Sequence, residues 1–234
     1  MSGIFYVVEA DLPAEALPGF VDWYGGVHAP HLFQAGFTTC TSYGAIAGGF
    51  PVVDIYQGPD WSLFESANFA RYRPIAVNDP HRPEALGRVR NLRTVYTHRA
   101  CLEGEGVGDP DWLDTDWITI WRFGGDASVG KRSADWLALA GGGALAAAGA
   151  RKVRLIERTR DAPTGTSHRP NFALVAEWGA CPSTDVQAGG PLPDWLVTAR
   201  SEEDGFFTGV RLFPWAEVAE ARGAALDLIG AARS

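Results

Sequence analysis

Apolar and polar positions along the chain follow two periods that alternate in a fixed order. Residues 4–10, IFYVVEA, are aromatic and β-branched and stop at the turn signal DLP, which predicts a strand. Residues 14–35 change to helical spacing, with Leu17, Phe20, Val21, Tyr24 and His28 along one face. Two strands follow, FTTCTSYGA (37–45) and VVDIYQG (52–58), joined by the glycine-rich hairpin IAGGFP. SLFESANFARYR (62–73) predicts a short helix and LRTVYTHRACL (92–102) a closing strand. The order is βαββαβ.

The same order then returns. DWITIWRFG (116–124) reads as a strand and KRSADWLALAGGGALAAAG (131–149) as a helix. RKVRLIERTR (151–160) and NFALVAEWG (171–179) form a hairpin, LPDWLVTAR (192–200) a short helix, and GFFTGVRLFPW (205–215) the last strand. Placing Asp22-Trp23 over Asp135-Trp136 brings Gly36 over Gly149. Two such units predict two four-stranded antiparallel sheets, each with helices on one face, whose bare faces cover each other. The expected fold is therefore α+β: two tandem ferredoxin-like βαββαβ repeats forming a pseudo-twofold α+β barrel. Residues 1–106 make the first repeat, 107–115 a linker, and 116–234 a second, degenerate repeat.

Composition narrows the function classes. At 46% hydrophobic residues the 234-residue chain can bury a full core. A formal charge of -8 without a basic stripe argues against nucleic acid. No apolar run is long enough for a membrane span, and the N-terminus lacks the pattern of a signal peptide. Cysteines 40, 101 and 181 are odd in number and far apart, which speaks against disulfides or a cysteine zinc site and for a cytoplasmic protein. The glycine-rich AGGGALAAAG lacks phosphate-loop spacing and reads as close helix–sheet packing.

One segment stands out. FVDWYGGVHAP (20–30) carries two glycines in mid-helix, each costing about 1 kcal/mol against alanine, and then a histidine two residues before a proline. Its Phe20, Tyr24, His28 and Pro30 resemble the signature of the EthD-like branch of the dimeric α+β barrel superfamily. AGFTTCTSYGA and WSLFESANFARYR resemble that family's second strand and second helix. The resemblance implies His28 as a general acid/base at the mouth of an apolar barrel, acting without an organic cofactor on an aromatic or polyketide-like molecule. Dehydration, cyclisation and isomerisation fit that description. The superfamily also holds haem enzymes and cofactor-free monooxygenases, so an oxidoreductase is the alternative, and a non-catalytic ligand-binding barrel the third. A homodimer is left open. In the second repeat Gly141 stands where His28 would be, so one site per chain is expected.

Other residues fall into place around His28. Asp54 and Tyr56 share a strand face with Val52. If that face turns into the barrel, Asp54 orients or charge-stabilises His28 and Tyr56 holds a substrate oxygen. Tyr6, Tyr24, Tyr43, Tyr96 and His98 are further pocket residues. His31, three positions past His28, is spaced for a metal pair but has no carboxylate partner in its segment, so no metal is expected. His81, between two prolines, is a loop residue that a haem-binding reading would use as the iron ligand. His168 is expected at an exposed hairpin.

Overall fold

Strands β1 (Ile4–Ala10), β2 (Thr39–Ala47), β3 (Val52–Gly58) and β4 (Asn91–Glu103) belong to the first half of the chain. Strands β5 (Trp117–Phe123), β6 (Ala150–Glu157), β7 (Phe172–Trp178) and β8 (Phe206–Phe213) belong to the second. All eight close into one antiparallel barrel in the order β1-β3-β2-β8-β5-β7-β6-β4. Counted within each half, the order is 4-1-3-2 twice, and the second strand of each half pairs with the last strand of the other. This is the expected pair of ferredoxin-like units. The computed structural model describes residues 3–103, 112–158, 160–163, 169–199 and 205–231. Most of the expected linker at 107–115, and His168, lie outside them.

Strand alternation separates two environments. Phe5, Val7, Val53, Ile55, Ile118, Ile120 and their neighbours fill the barrel bore. Buried charges close it: Glu9 accepts from Arg122 at 2.5 Å and from Arg169 at 2.6 and 2.8 Å, while Arg154 donates to Glu177 at 2.9 Å. Positions between them, such as Tyr6, Tyr56, Trp121 and Trp178, face outward and build the larger core beneath the helices.

The helices differ from the sequence expectation at their ends, for local reasons. Helix α1 spans 17–35 and continues through Pro30. Helix α2 (Ala67–Asn78) starts later than expected because the Ser66 hydroxyl caps the Phe69 N–H, and a separate turn, Trp61–Glu65, precedes it. Helix α3 (127–147) starts earlier than expected because the Asp126 carboxylate caps Ser128 and Val129. Three short or late elements follow: α4 (Thr184–Ala188), α5 (Asp194–Ala199) and α6 (Ala219–Ala231). Neither α4 nor α6 was anticipated. Among the described residues no helix is long and apolar enough to cross a membrane.

Candidate active site

The site begins with a defect in α1. Pro30 has no N–H to continue an α-helical ladder, and the helix widens by one residue over Tyr24–His28, where the Ala29 N–H reaches back to the Tyr24 carbonyl. Gly25 lets this turn sit close to the sheet, since a Cβ there would lie 3.1 Å from the Phe213 ring. In an α-helix, residues five apart point about 140° away from each other. The widened turn instead brings Trp23 and His28 into a stack, with ring centroids 4.4 Å apart and planes 24° apart. The Trp23 indole N–H is itself fixed by Asp79 at 2.6 Å. His28 thus lies within the helix and not at its end.

Beneath the helix, the outer face of the sheet supplies the other groups. The Tyr56 hydroxyl lies 3.4 Å from His28 Nε2 and donates to Asp54 Oδ2 at 3.2 Å. From the α2 side, the Tyr72 hydroxyl lies 3.5 Å from His28 Nδ1. The four side chains form a line, Tyr72–His28–Tyr56–Asp54. Burial drives His28 down to about 3, reinforced by His31 and Arg82, so the imidazole is neutral at neutral pH. Burial raises Asp54 to about 7, against smaller opposing effects from Ser42 and Tyr56. Tyr56 and Tyr72 are pushed above the usual phenol range, chiefly by burial. Both phenols therefore keep their protons, and the titrating groups are one neutral base and one carboxyl poised near neutrality.

With Asp54 ionised, hydrogen-bond directions are determined. Tyr56 donates to Asp54, so its oxygen accepts from His28 Nε2–H, and Nδ1 then accepts from Tyr72. Shifting each proton one place along this line carries a proton from a group beside Tyr72 to Asp54, and leaves no new charge on His28. Asp54 Oδ1 is buried and, among the described residues, has no hydrogen-bond partner.

A cavity of about 260 Å³ opens against these groups and is lined by Tyr6, Trp23, His28, Asp54, Tyr56 and Tyr72, among others. It lies between the outer face of the sheet and helices α1 and α2. Asp54 and Tyr56 therefore meet His28 by facing away from the bore, where the sequence reading had placed the pocket inside the barrel. Tyr24 is fully buried behind His28, its hydroxyl donating to the Thr41 carbonyl at 3.3 Å. Tyr43, Tyr96 and His98 are not brought here. Tyr43 and Tyr96 point into the bore and donate to the carbonyls of Thr115 and Pro170, and His98 lines a separate opening at one end of the bore with Gln57 and Arg154. Alternation puts them on the opposite face from Tyr6 and Tyr56. Tyr72 was missed, although it stands in the segment ARYR that resembles the family's second helix.

The second half has the same backbone and a different filling. Its helix α3 carries a matching widened turn, Leu137–Gly141, where the Gly142 N–H reaches the Leu137 carbonyl. A Cβ on Gly141 would lie 2.3 Å from the Trp136 ring, so the indole occupies the imidazole's place. Strand β5 follows β1 at a constant offset of 113 positions, from Ile4–Ala10 against Trp117–Phe123, so Trp121 and Phe123 stand where Val8 and Ala10 are. Pairing puts Asp54 opposite Val8 and Leu174 opposite Trp121. Leu174 and Ala176 are thus the counterparts of Asp54 and Tyr56.

No protein-family model matches the sequence, and neither does any curated protein. Among solved structures, an anthrone oxidase-like protein shares the fold over 98% of this chain and 85% of its own, with a TM-score of 0.53 at 12% identity. A candidate chlorite dismutase shares it over 98% of this chain and 99% of its own, with a TM-score of 0.51 at 10% identity. At such identities the likeness is one of fold: a closed antiparallel barrel with helices packed on its outer face.

Haem, the alternative that the sequence resemblance raised, does not fit this cavity. Both nitrogens of His28 face phenol hydroxyls and its ring is covered by Trp23. His81 is exposed on a loop and outside the cavity lining. Among the described residues no group of three metal-ligating side chains comes together.

Proposed function

We propose that the chain is a small-molecule enzyme of the EthD-like branch that removes a proton from an electron-rich aromatic substrate and lets the resulting anion react with dioxygen without a cofactor. The line Tyr72–His28–Tyr56–Asp54, ending on a carboxyl poised near pH 7 and facing a cavity walled by aromatic rings, carries this reading. The likeness of fold to an anthrone oxidase-like protein supports the same direction.

The substrate's acidic hydrogen, on a phenol or on a carbon beside a carbonyl, passes to Tyr72 as the Tyr72 proton moves to His28. The Nε2 proton moves to Tyr56 and the Tyr56 proton to Asp54. The substrate anion gives one electron to O₂, and the two radicals combine into a peroxide. The proton held by Asp54 returns to that peroxide, and loss of water with cleavage of the O–O bond leaves a carbonyl. Overall, a CH₂ group and O₂ become C=O and H₂O. The protein's part is to bind, exclude water and store one proton. We infer further that the two halves arose by duplication and that only the first retains a working site.

A lyase, cyclase or isomerase is the second reading. It is favoured by the same carboxyl, which below about pH 7 is protonated and can give a proton to a leaving hydroxide. Incubation with anthrone and related hydroxyaromatic ketones separates the two. In anaerobic D₂O the wild type is expected to exchange the acidic C–H, read by proton NMR; in air it should consume one O₂ per quinone formed. Water loss or ring closure without O₂ uptake would assign the lyase reading, and no exchange at all would overturn both.

A further inference from the structure

The far end of the same cavity is built from groups that the proton path does not use. Asn91 and Arg93 project from β4, Arg73 follows Tyr72 on α2, and Arg82 comes from the loop after α2. Register places Arg93 opposite Val8 and Val8 opposite Asp54, while Asn91 lies opposite Ala10. Arg93 and Asp54 thus share one row of the sheet, two strand spacings or roughly 10 Å apart. The small side chains of Val8 and Ala10 leave the floor between them open.

Apart from the field of Arg82 on His28 and of Arg93 on Tyr72, these charges are little engaged. Neither Arg73 nor Arg93 makes an ion pair or hydrogen bond among the described residues. Arg82 donates to the Leu86 carbonyl at 3.0 Å. Among the described residues the buried Asn91 side-chain oxygen has no hydrogen-bond partner. The arginines are not counter-charges to Asp54 either: burial dominates its shift, and only Ser42 and Tyr56 act against it. Three arginines around one cavity also run against the -8 formal charge of the chain.

We propose that this end of the cavity binds a carboxylate, or an equivalent oxyanion, on the substrate. Arg93 holds it as a two-pronged donor, Arg73 and Arg82 add positive field from the helix side, and Asn91 takes a neighbouring hydroxyl. Guanidinium and carboxylate match in planar geometry, and a recess with apolar walls concentrates the field more than open surface does. The inference deepens the proton-transfer reading and rests on it for orientation. The substrate is then a hydroxyaromatic acid whose acid group sits across the ring system from its acidic hydrogen.

Two probes of one skeleton test this: 6-hydroxy-2-naphthoate and 2-naphthol, titrated by quenching of tryptophan fluorescence. The acid is expected to bind about tenfold tighter or better at low ionic strength, the gain of one charge-assisted pair. That advantage should shrink as salt is raised. Arg93→Gln is expected to abolish the preference while keeping the affinity for 2-naphthol, and Arg93→Lys to keep part of it. Equal binding of the two probes by the wild type, or no binding of either at millimolar concentration, overturns the proposal without recourse to any variant. So does a preference that survives the combined Arg73, Arg82 and Arg93→Gln substitutions. If the acid is preferred while anaerobic C–H exchange fails, the proton-transfer reading falls and the anion site stands.

Discussion

The Trp23 indole lies flat against the His28 imidazole, 4.4 Å away, because a widened turn of α1 brings residues five apart onto one side. The equivalent indole of the second half, Trp136, lies against Gly141. One backbone device thus serves two ends. In the first half it fixes the plane of an imidazole so that both nitrogens meet tyrosine hydroxyls. In the second it closes the space.

The pair His28 and Asp54 exchanges a proton on folding, which gives stability an unusual pH dependence. Between about pH 4 and 6.5 the unfolded chain carries an ionised Asp54 and a protonated His28, whereas the folded chain carries the neutral forms of both. The proton count is equal, so the pair adds almost no slope there. In Asp54→Asn only the His28 contribution remains. With a folded value near 3, it is fully present above pH 6.5 and lost as pH falls toward 3. In His28→Gln only the Asp54 contribution remains. With a folded value near 7, it is fully present below pH 3.8 and lost as pH rises through 7. Each contribution reaches at most about 5 kcal/mol at 1.36 kcal/mol per pH unit. Melting curves from pH 3 to 8 should show the Asp54→Asn minus wild-type difference rising with pH and the His28→Gln difference falling. Parallel curves for all three proteins would contradict the assigned charge states.

The hydroxyls of Tyr72 and Tyr56 should matter far more to turnover than to folding, where loss of the Tyr56 hydroxyl from buried Asp54 costs about 1–3 kcal/mol. Phenylalanine at either position keeps the ring and breaks the line to Asp54. A loss of about 10²–10⁴ in kcat is expected, the usual worth of a positioned proton carrier, with KM changed much less. Steady-state kinetics and the anaerobic exchange rate on the same substrate check this. A kcat within threefold of wild type for both variants would remove the tyrosines from the path.

Gly141→Ala tests the filling of the second half. On an open helix face this change would stabilise by about 1 kcal/mol through helix propensity. Here the new methyl meets the Trp136 ring, and overpacking of this kind costs about 1–3 kcal/mol. Net destabilisation is expected in urea titrations, relieved in the double variant Gly141→Ala, Trp136→Leu. Stabilisation by the single change would mean that the indole does not occupy this position.

Glu9 holds two arginines inside the bore, with its side chain only 1% exposed. Glu9→Gln keeps the shape and removes the negative charge that Arg122 and Arg169 face. Breaking a buried ion group in this way costs about 3–5 kcal/mol. A loss below 1 kcal/mol in chemical denaturation would show that the bore tolerates the charges unaided.

Much of the fold was legible because its cause is local. Alternation in IFYVVEA and VVDIYQG marks strands that are buried on both sides by different layers, and a 113-residue offset relates Trp23 to Trp136 and Gly36 to Gly149. Helix α6 escaped notice, although Ala221, Ala225 and Ile229 recur at helical spacing and are its buried residues. Small side chains gave that stripe little weight against the surrounding polar residues.

The sequence by itself determined the element order, the doubling, and the grouping of Asp54 with Tyr56, since period and alternation depend only on neighbours along the chain. It also marked FVDWYGGVHAP as a segment not built for packing alone. Only the tertiary structure decided which sheet face meets the helices. That choice brought Asp54 and Tyr56 to His28 and sent Tyr43, Tyr96 and His98 to the bore and its end. Tyr72, Arg73, Arg82 and Arg93 joined the same cavity from a helix, a loop and a strand. Closure of the barrel is a property of all eight strands at once: one face of every strand must fill the bore, and whatever stands on the other is left to meet the helices.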